Sequence, residues 1–332
     1  MRLVIALLVC GLPVGGGLGA ASPAGSSKLE RVQLFGREYV RLADWAKANK
    51  LTIVWPKSSE VLELTNRWTR LTFTVDSRKA EINGVKVWLS VPIAAHHGSA
   101  FIAPLDLRSA LQPVLAAPRN RPGAKIRTVC LDPGHGGKDP GNLDRGRQEK
   151  KYTLLLAQEV ARLLRNAGLS APLTRKTDRF IELEERAAIA KRNGADLFVS
   201  LHFNTVLAAH SEAKGVEVYC LTPAYASSTN ARGEGANTPA FPGNRHDDKN
   251  MLLAYQLQKA LVRNLPMEDR GVHRARFGMF RSAEMPAALV EGGFMSNPED
   301  ARRIYDAASR RQMAKAIVDG VLAYKRLVER GG

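Results

Sequence analysis

The residues best able to do chemistry stand where apolar runs of the sequence end. His135 lies in the glycine-rich stretch VCLDPGHGGKDPGN, His202 ends the run DLFVSLH, and Glu291 ends AALVE. In sheets of parallel strands, the carboxyl ends of neighbouring strands lie at one edge, where functional sites form. We therefore expect these three side chains to meet there, together with Glu149, which opens a helical segment.

Two imidazoles and a carboxylate are the ligand types of a hydrolytic zinc site, which keeps one position for water. Zinc lowers the pKa of that water, and a further carboxylate can pass the water's proton to a leaving amine. Taken singly, His135 also fits a turn residue, His202 a hydrogen-bonded core histidine, and Glu149 a favourable charge at a helix start. Glu291 is harder to explain by a structural role alone, because burial of a carboxylate at the end of an apolar strand costs free energy.

From Arg127 onwards, strand-like runs alternate with helical periodicity. This alternation predicts an α/β fold, in which helices flank a mixed, mainly parallel sheet. The predicted strands are TVCLD, SAPLTR, DLFVSLHFN, GVEVYCL and AALVEGG, and the predicted helices are EKKYTLLLAQEVARLLRNAG, IELEERAAIAKRNGA, NMLLAYQLQKALVRNL and one or two in the closing segment.

A smaller α+β, β-rich unit is predicted before this region, over residues 28–115. It contains one amphipathic helix and several short runs rich in β-branched and aromatic residues. Asn83-Gly84 between two alternating runs indicates a hairpin. AAPRNRPGAK, rich in proline and basic residues, predicts a linker over residues 116–126, which leaves residues 127–330 as the main domain.

The first residues have the pattern of an export signal. One positive charge, a short apolar run and then small residues predict a secretory signal peptide over residues 1–24. The apolar run is too short for a good membrane span and no other run is longer, so no transmembrane segment is expected in the mature chain. Lipidation at Cys10 is an alternative. Cys130 and Cys220 are predicted to be buried free thiols, with a disulfide as the alternative.

The composition is that of a globular protein with a basic balance. The chain has 332 residues, of which 45% are hydrophobic and 24% charged, and its formal net charge is +17. Such a charge suits a polyanionic partner without identifying it. The export signal and the lack of any recognised nucleic-acid motif argue against nucleic acid as that partner. GHGGKDPG also lacks the spacing of the phosphate-binding P-loop and of the dinucleotide fingerprint.

Four motifs occur together and in order, namely LDPGHGGKDPGN, QEK at the start of a helix, DLFVSLHFN and ALVEGGFMSN. Over about residues 127–327 the chain thereby resembles the zinc-dependent N-acetylmuramoyl-L-alanine amidases of the LytC/AmiC-like family. The resemblance implies that His135, Glu149 and His202 are zinc ligands and that Glu291 is the catalytic glutamate. It also implies hydrolysis of the amide between N-acetylmuramic acid and L-alanine in cell-wall peptidoglycan.

Several arginines and one asparagine are expected to act around this site. Arg274 and Asn204 are predicted to bind substrate. Arg175, Arg186 and Arg274 lie in family-like segments, where they would hold loops or bind peptidoglycan carboxylates, with structural ion pairs as the alternative. Peptidoglycan is thus the expected partner, and the expected location is periplasmic or secreted, in association with the cell wall.

One segment departs from the periplasmic division amidases of this family, which often carry a helical autoinhibitory insertion at this position. Between Cys220 and Asn250 the chain is polar and rich in glycine and proline, without an apolar helical pattern. We predict a surface loop here, without a plugging helix, and we keep an activator protein as a candidate partner. His246 in this segment is expected to be an exposed loop histidine rather than one that faces the metal.

The first unit resembles the copper amine oxidase N-terminal-like domain through LTFTVDSRKAEINGVKVWLSVPIAAHHGSAFIAPLDLRSAL. That domain recurs beside cell-wall enzymes, and the resemblance implies a wall-binding or spacer unit without implying copper. For the whole chain, the alternative to an enzyme is a non-catalytic peptidoglycan-binding or regulatory protein with an amidase fold. The presence of all four site residues argues against that alternative.

Overall fold

The computed structural model describes residues 29–206, 212–229 and 238–329. In these ranges the chain forms a ten-stranded sheet, a four-stranded sheet and a two-stranded ribbon. The predicted signal peptide over residues 1–24, with Cys10, lies outside them. The strands are β1 (Arg31–Leu34), β2 (Arg37–Arg41), β3 (Thr52–Lys57), β4 (Val61–Thr65), β5 (Arg70–Thr74), β6 (Lys79–Ile82), β7 (Val85–Trp88), β8 (Ala94–His96), β9 (Ser99–Ile102), β10 (Val129–Pro133), β11 (Leu143–Asp144), β12 (Arg147–Gln148), β13 (Leu197–Asn204), β14 (Val216–Leu221), β15 (Asp269–Ala275) and β16 (Ala287–Phe294).

The helices fall mainly in the second part of the chain, as the alternating pattern predicts. A π-helical turn at Leu107–Leu111 and a 3-10 helix at Pro242–His246 complete them. The α-helices are α1 (Leu42–Ala48), α2 (Pro104–Asp106), α3 (Gln112–Leu115), α4 (Glu149–Asn166), α5 (Leu183–Arg192), α6 (Asp247–Asn264), α7 (Gly278–Arg281), α8 (Pro298–Tyr305) and α9 (Ala307–Glu329).

The large sheet is mixed, which confirms the predicted fold class. Its strand order is β10-β13-β16-β14-β15-β7-β6-β5-β4-β3. The first three strands are parallel, β14 runs antiparallel to β16, and β14, β15 and β7 are parallel to one another. The remaining strands form an antiparallel meander.

Both faces of the parallel part are covered, which explains its nearly continuous apolar strands. On one face, Leu131 and Val199 belong to the main core cluster together with residues of α4, α6 and α9. On the other face, Cys130 and Phe198 pack with residues of α5 and α7. Because successive side chains of a strand point to opposite faces, every residue of β10 is buried.

The predicted first unit and the predicted main domain share one sheet. Val87 of β7 pairs with Val272 of β15, and Trp88 Nε1 donates a hydrogen bond to the carbonyl oxygen of Arg270 at 2.9 Å. The Tyr255 hydroxyl of α6 also donates to the Ile82 carbonyl oxygen at 2.9 Å. Side chains of both regions belong to a single hydrophobic cluster, so the two regions are continuous through both sheet and core.

The predicted strand SAPLTR forms only isolated bridges beside β10, at Ser170 and Leu173. Pro172 lies between these two residues and has no N–H to donate to a ladder, although its carbonyl oxygen accepts from Leu131 N at 2.9 Å. The prediction of a regular strand there is therefore wrong, since only an irregular edge is formed.

The segment after β14 has no α-helix within residues 222–229 and 238–246, the part that the structure describes. His246 lies at the end of the 3-10 helix, where its Nε2 is 2.9 Å from the Glu284 carbonyl oxygen. Cys130 and Cys220 are buried free thiols. No helix in the described ranges is both long and apolar enough to cross a membrane.

Candidate active site

His135 stands in the loop after β10 and has a backbone conformation that is uncommon for its residue type. Its φ angle is 62°, in the left-handed region. Two buried arginines fix this loop through its carbonyl oxygens. Arg175 Nη2 donates to Gly134 O at 2.8 Å, and Arg186 Nη2 donates to His135 O at 3.1 Å. The two arginines therefore hold the backbone of this loop in place, which is one of the two roles predicted for them.

Glu149 is the first residue of α4 and is fully buried. Its Oε2 lies 2.9 Å from His135 Nε2, and its Oε1 lies 3.0 Å from His202 Nδ1. The backbone N–H groups of Asn142 and Phe203 also donate to this carboxylate, at 2.9 Å and 3.0 Å. One carboxylate thus joins both histidines.

His202 projects from β13 beside His135, with the two ring centroids 4.8 Å apart. Its Nε2 is buried and has no hydrogen-bond partner among the described residues. A buried nitrogen without a partner costs free energy unless a ligand satisfies it. Ligand atoms of His135, Glu149 and His202 lie within 4.8 Å of one another. Two imidazoles and a carboxylate with one unsatisfied nitrogen fit a zinc ion.

Two glycines make room for this cluster. A Cβ on Gly134 would overlap the ring of His202. A Cβ on Gly141 would lie 2.6 Å from His135 Cδ2 and 2.7 Å from Glu149 Oε2, and the φ of Gly141 is +67°. The glycine-rich composition of the loop is therefore required by the close approach of its backbone to the cluster.

The buried carboxylate of Glu149 is stabilised in its charged form by the neighbouring imidazoles. Burial alone would raise the pKa of Glu149, but the hydrogen bonds of His135 and His202 outweigh it and hold this pKa well below its usual range. Burial would likewise lower the pKa of His135, but Glu149 and Asp139 raise it overall. A cation at this place would supply the same charge.

Glu291 lies next to this cluster on β16. It pairs with His202 across the parallel ladder and with Glu217 across the antiparallel one. Its Oε2 is buried and has no hydrogen-bond partner in the described part of the chain. Burial raises the pKa of Glu291 well above its usual value, and the nearby carboxylates of Glu149 and Glu217 raise it further. A carboxyl group with a raised pKa is a candidate for proton transfer.

The two residues predicted to bind substrate lie outside the His135–Glu149–His202 cluster. Arg274 is 2% exposed, and its Nη2 and Nη1 donate to the carbonyl oxygens of Ser109 and Leu221. Asn204 ends β13, where its Nδ2 donates to Glu217 Oε1 at 2.7 Å. The guanidinium of Arg274 therefore links the segment around Ser109 to β14. Asn204 instead contacts Glu217, the residue that pairs with Glu291.

Two contacts of the site were not foreseen from the sequence. Asp139 Oδ2 lies 2.8 Å from His135 Nδ1, which leaves the Nε2 of that ring directed at Glu149. Such a partner fixes the orientation of a metal-binding imidazole. Asn142 Nδ2 donates to the Phe203 carbonyl oxygen at 2.7 Å and joins the loop to β13. The spacing of four residues between His135 and Asp139 was the available signal.

Comparisons with known proteins match this part of the chain. N-acetylmuramoyl-L-alanine amidase AmiA of Escherichia coli K12 is 35% identical over 230 residues, which cover 62% of this chain and 79% of AmiA. The solved amidase AmiC2 of Nostoc punctiforme is 34% identical, with a TM-score of 0.50 over 61% of this chain and 98% of its own. An amidase structure from Clostridium difficile 630 is 29% identical, with a TM-score of 0.51 over 63% and 100%.

The family model described as N-acetylmuramoyl-L-alanine amidase matches residues 129–323. This range starts at β10, ends within α9 and contains His135, Glu149, His202 and Glu291. Since the match covers more than half of the chain, the protein belongs to the N-acetylmuramoyl-L-alanine amidase family.

Proposed function

We propose that this protein is a zinc-dependent hydrolase of cell-wall peptidoglycan, which cleaves the amide between N-acetylmuramic acid and L-alanine. The observation that carries the proposal is the His135–Glu149–His202 cluster around the buried Glu149, with the unpartnered Oε2 of Glu291 beside it. The names of the related amidases support the choice of substrate.

In this proposal His135, Glu149 and His202 hold the zinc ion. When bound, zinc polarises the substrate carbonyl and makes water more acidic. Asp139 orients His135 through Nδ1, and the N–H groups of Asn142 and Phe203 orient Glu149. Arg175 and Arg186 keep the backbone of the His135 loop in place, so that little rearrangement is needed during the reaction.

Glu291 moves the proton in the proposed reaction. Its carboxylate takes a proton from the water that attacks the lactyl carbonyl carbon. The bond between that carbon and the amide nitrogen then breaks, and Glu291 returns the proton to the nitrogen of L-alanine. The products are a carboxylic acid on the sugar and a free stem peptide that begins with L-alanine.

We assign supporting roles to the two residues that were expected to bind substrate. Arg274 holds the segment around Ser109 against β14, because its guanidinium is buried among carbonyl oxygens. Asn204 positions Glu217, which also accepts hydrogen bonds from the Tyr219 hydroxyl and from Arg270 Nε. Glu217 in turn raises the pKa of Glu291 by its charge.

The location and organisation of the chain complete the proposal. Residues 1–24 act as a signal peptide for export to the periplasm or the exterior, and residues 28–115 form a wall-binding or spacer unit ahead of the 116–126 linker and the 127–330 catalytic region. The described segment after β14 holds no α-helix ahead of Asp247, which supports activity without an activator protein.

The test is a digest of purified sacculi with the zinc-loaded protein, followed by mass spectrometry. Free stem peptides that begin with L-alanine, together with glycan strands without peptides, are the expected products. A protein that pellets with sacculi but releases no such peptides would support the alternative of a non-catalytic wall-binding protein. Renewed activity on addition of a periplasmic extract would instead indicate that an activator is required.

A further inference from the structure

The face of the sheet that carries Glu291 extends beyond the amidase region. Residues that pair directly across two strands have their side chains on the same face of the sheet. His202 pairs with Glu291, Glu291 with Glu217, and Glu217 with Gly271 of β15. This row therefore runs from a proposed zinc ligand across four strands on one face.

The row continues onto the first part of the chain. Val272 pairs with Val87, and both side chains are buried on the inner face. Their preceding neighbours, Gly271 and Lys86, therefore lie together on the opposite face, and a Cβ on Gly271 would touch Lys86. The row then passes through the paired residues Lys86, Glu81, Thr72 and Glu63.

On the first part of the chain this face is open to solvent. The inner-face residues of β5, Leu71 and Phe73, are fully buried, whereas Arg70 and Thr72 alternate with them and are exposed or partly exposed. An antiparallel sheet with one buried and one solvated face has this pattern. We call the solvated side the outer face. It carries Glu63, Arg70, Thr72, Lys79, Glu81 and Lys86.

The hairpin between β4 and β5 adds an exposed aromatic side chain next to the outer face. Trp68 is 73% exposed, and the guanidinium of Arg67 lies 4.0 Å from the centroid of its ring. Arg70 follows on the outer face, with 69% of its side chain exposed. A large exposed tryptophan is a common feature of binding surfaces, because its ring is apolar and its N–H polar.

We propose that the outer face and the Trp68 hairpin bind the peptidoglycan polymer whose amide is cleaved at Glu291, an inference that rests on the proposed function. Six strand steps separate β16 from β4. At about 4.8 Å for each step, they span roughly 29 Å. A polymer of repeating units reaches across this distance.

Two observations select this polymer as the occupant. The strand pairings place the face in register with the proposed catalytic row, with the buried residues Glu217 and Gly271 between Glu291 and Lys86. Together with the Trp68 hairpin, the face carries four cationic side chains, Arg67, Arg70, Lys79 and Lys86, against two carboxylates. These carboxylates are Glu63, 3.8 Å from Arg70, and Glu81, 3.7 Å from Lys79. The carboxylates of stem peptides complement that excess. The first part of the chain thereby contributes to selection of the polymeric substrate.

The test compares two double variants that each remove one exposed aromatic ring and one arginine. The first is Trp68→Ala with Arg70→Ala. The matched control is Phe35→Ala with Arg31→Ala, on the separate four-stranded sheet, where Phe35 is 83% exposed and the Arg31 side chain 60%. Lys79→Glu, which changes one outer-face charge, serves as a second variant should the first fold poorly.

Cleavage is measured on intact sacculi and on a soluble disaccharide–peptide, and sedimentation with sacculi is measured in a Glu291→Gln background. The outer-face variants are expected to lose about tenfold in the ratio of polymer cleavage to soluble-substrate cleavage, and to sediment less, whereas the control keeps both values. Equal ratios and equal sedimentation in outer-face and control variants would overturn the proposal. If the unmodified protein cleaves neither substrate, the proposed function fails, but sedimentation still decides whether the outer face binds the polymer.

Discussion

The His135–Glu149–His202 cluster leaves no room for additional atoms in the loop beside it, and this constrains the residue type at single positions. Gly141 and Gly146 both have positive φ angles, +67° and +80°. They differ in their surroundings, since a Cβ on Gly141 would meet His135 and Glu149, whereas a Cβ on Gly146 would meet nothing within 4 Å. Substitutions at the two glycines therefore distinguish two effects. Both positions require a left-handed backbone, but only Gly141 also requires the absence of a side chain.

Gly141→Ala is expected to lower zinc affinity and kcat/KM at least tenfold, because the new methyl group displaces two ligands. Gly146→Ala is expected to keep both values and to lower the free energy of unfolding by about 1 kcal/mol, the cost of a left-handed alanine. Zinc competition with a chelating dye and steady-state kinetics measure the difference. Equal zinc affinity in the two variants would contradict the geometry described for this loop.

Much of the candidate site could be predicted from the sequence, because three of its four main residues stand where apolar, strand-like runs end. His135, His202 and Glu291 follow strand-like segments, and the fold brings strand ends together. The hydrogen bonds that orient these residues were harder to predict from the sequence. Asp139 and Asn142 lie inside the glycine-rich motif, where loop geometry decides which side chain reaches which partner. The burial of Arg274 among carbonyl oxygens was also not accessible from the sequence, because a charged residue in a family-like segment gives no signal of its burial.

Among the secondary-structure elements, one buried ion pair connects α5 to β10, the strand that leads into the loop of His135. Arg186 Nη1 donates to Asp132 Oδ1 at 2.9 Å, and the two side chains are 2% and 0% exposed. Thr174 and Ser200 also donate to the Asp132 carboxylate, at 2.6 Å and 2.7 Å. Removal of one partner would leave the other charge buried without compensation.

Arg186→Met is expected to lower the free energy of unfolding by about 3–5 kcal/mol, because Asp132 then lacks its cation. The control is Arg192→Met on the same helix, where Arg192 pairs with Glu185 at the surface and a loss below about 1 kcal/mol is expected. Urea denaturation followed by circular dichroism measures both. Equal losses in the two variants would show that the buried pair does not anchor α5.

At the scale of the whole molecule, the two regions that the sequence divides at residues 116–126 are joined by the β7–β15 pairing. A parallel contact between strands so far apart in the chain leaves no local signal, because each strand alone has the same alternating pattern. The linker composition was therefore visible in the sequence, whereas the shared sheet was not. The hairpin at Asn83-Gly84 was predictable, because its residues are local and have positive φ angles, 49° and 77°.

This shared sheet predicts one cooperative unfolding transition. All four tryptophans lie in the first region, whereas the three longest helices lie in the second. Tryptophan fluorescence and far-ultraviolet circular dichroism therefore report on different regions, and their urea midpoints are expected to coincide. Two distinct midpoints would mean that the regions unfold independently. The tryptophans are Trp45, Trp55, Trp68 and Trp88.

We propose that His135, Glu149 and His202 hold one zinc ion for a reaction in which Glu291 transfers the proton. The most direct test is a zinc titration of metal-free protein, with release of L-alanine-terminated peptides from sacculi as the signal. We expect activity that saturates at one zinc per chain, and a Glu291→Gln variant that binds zinc equally but is slower by a factor of about 100 to 10,000. Full activity in the metal-free protein, or unchanged activity in Glu291→Gln, would contradict this proposal.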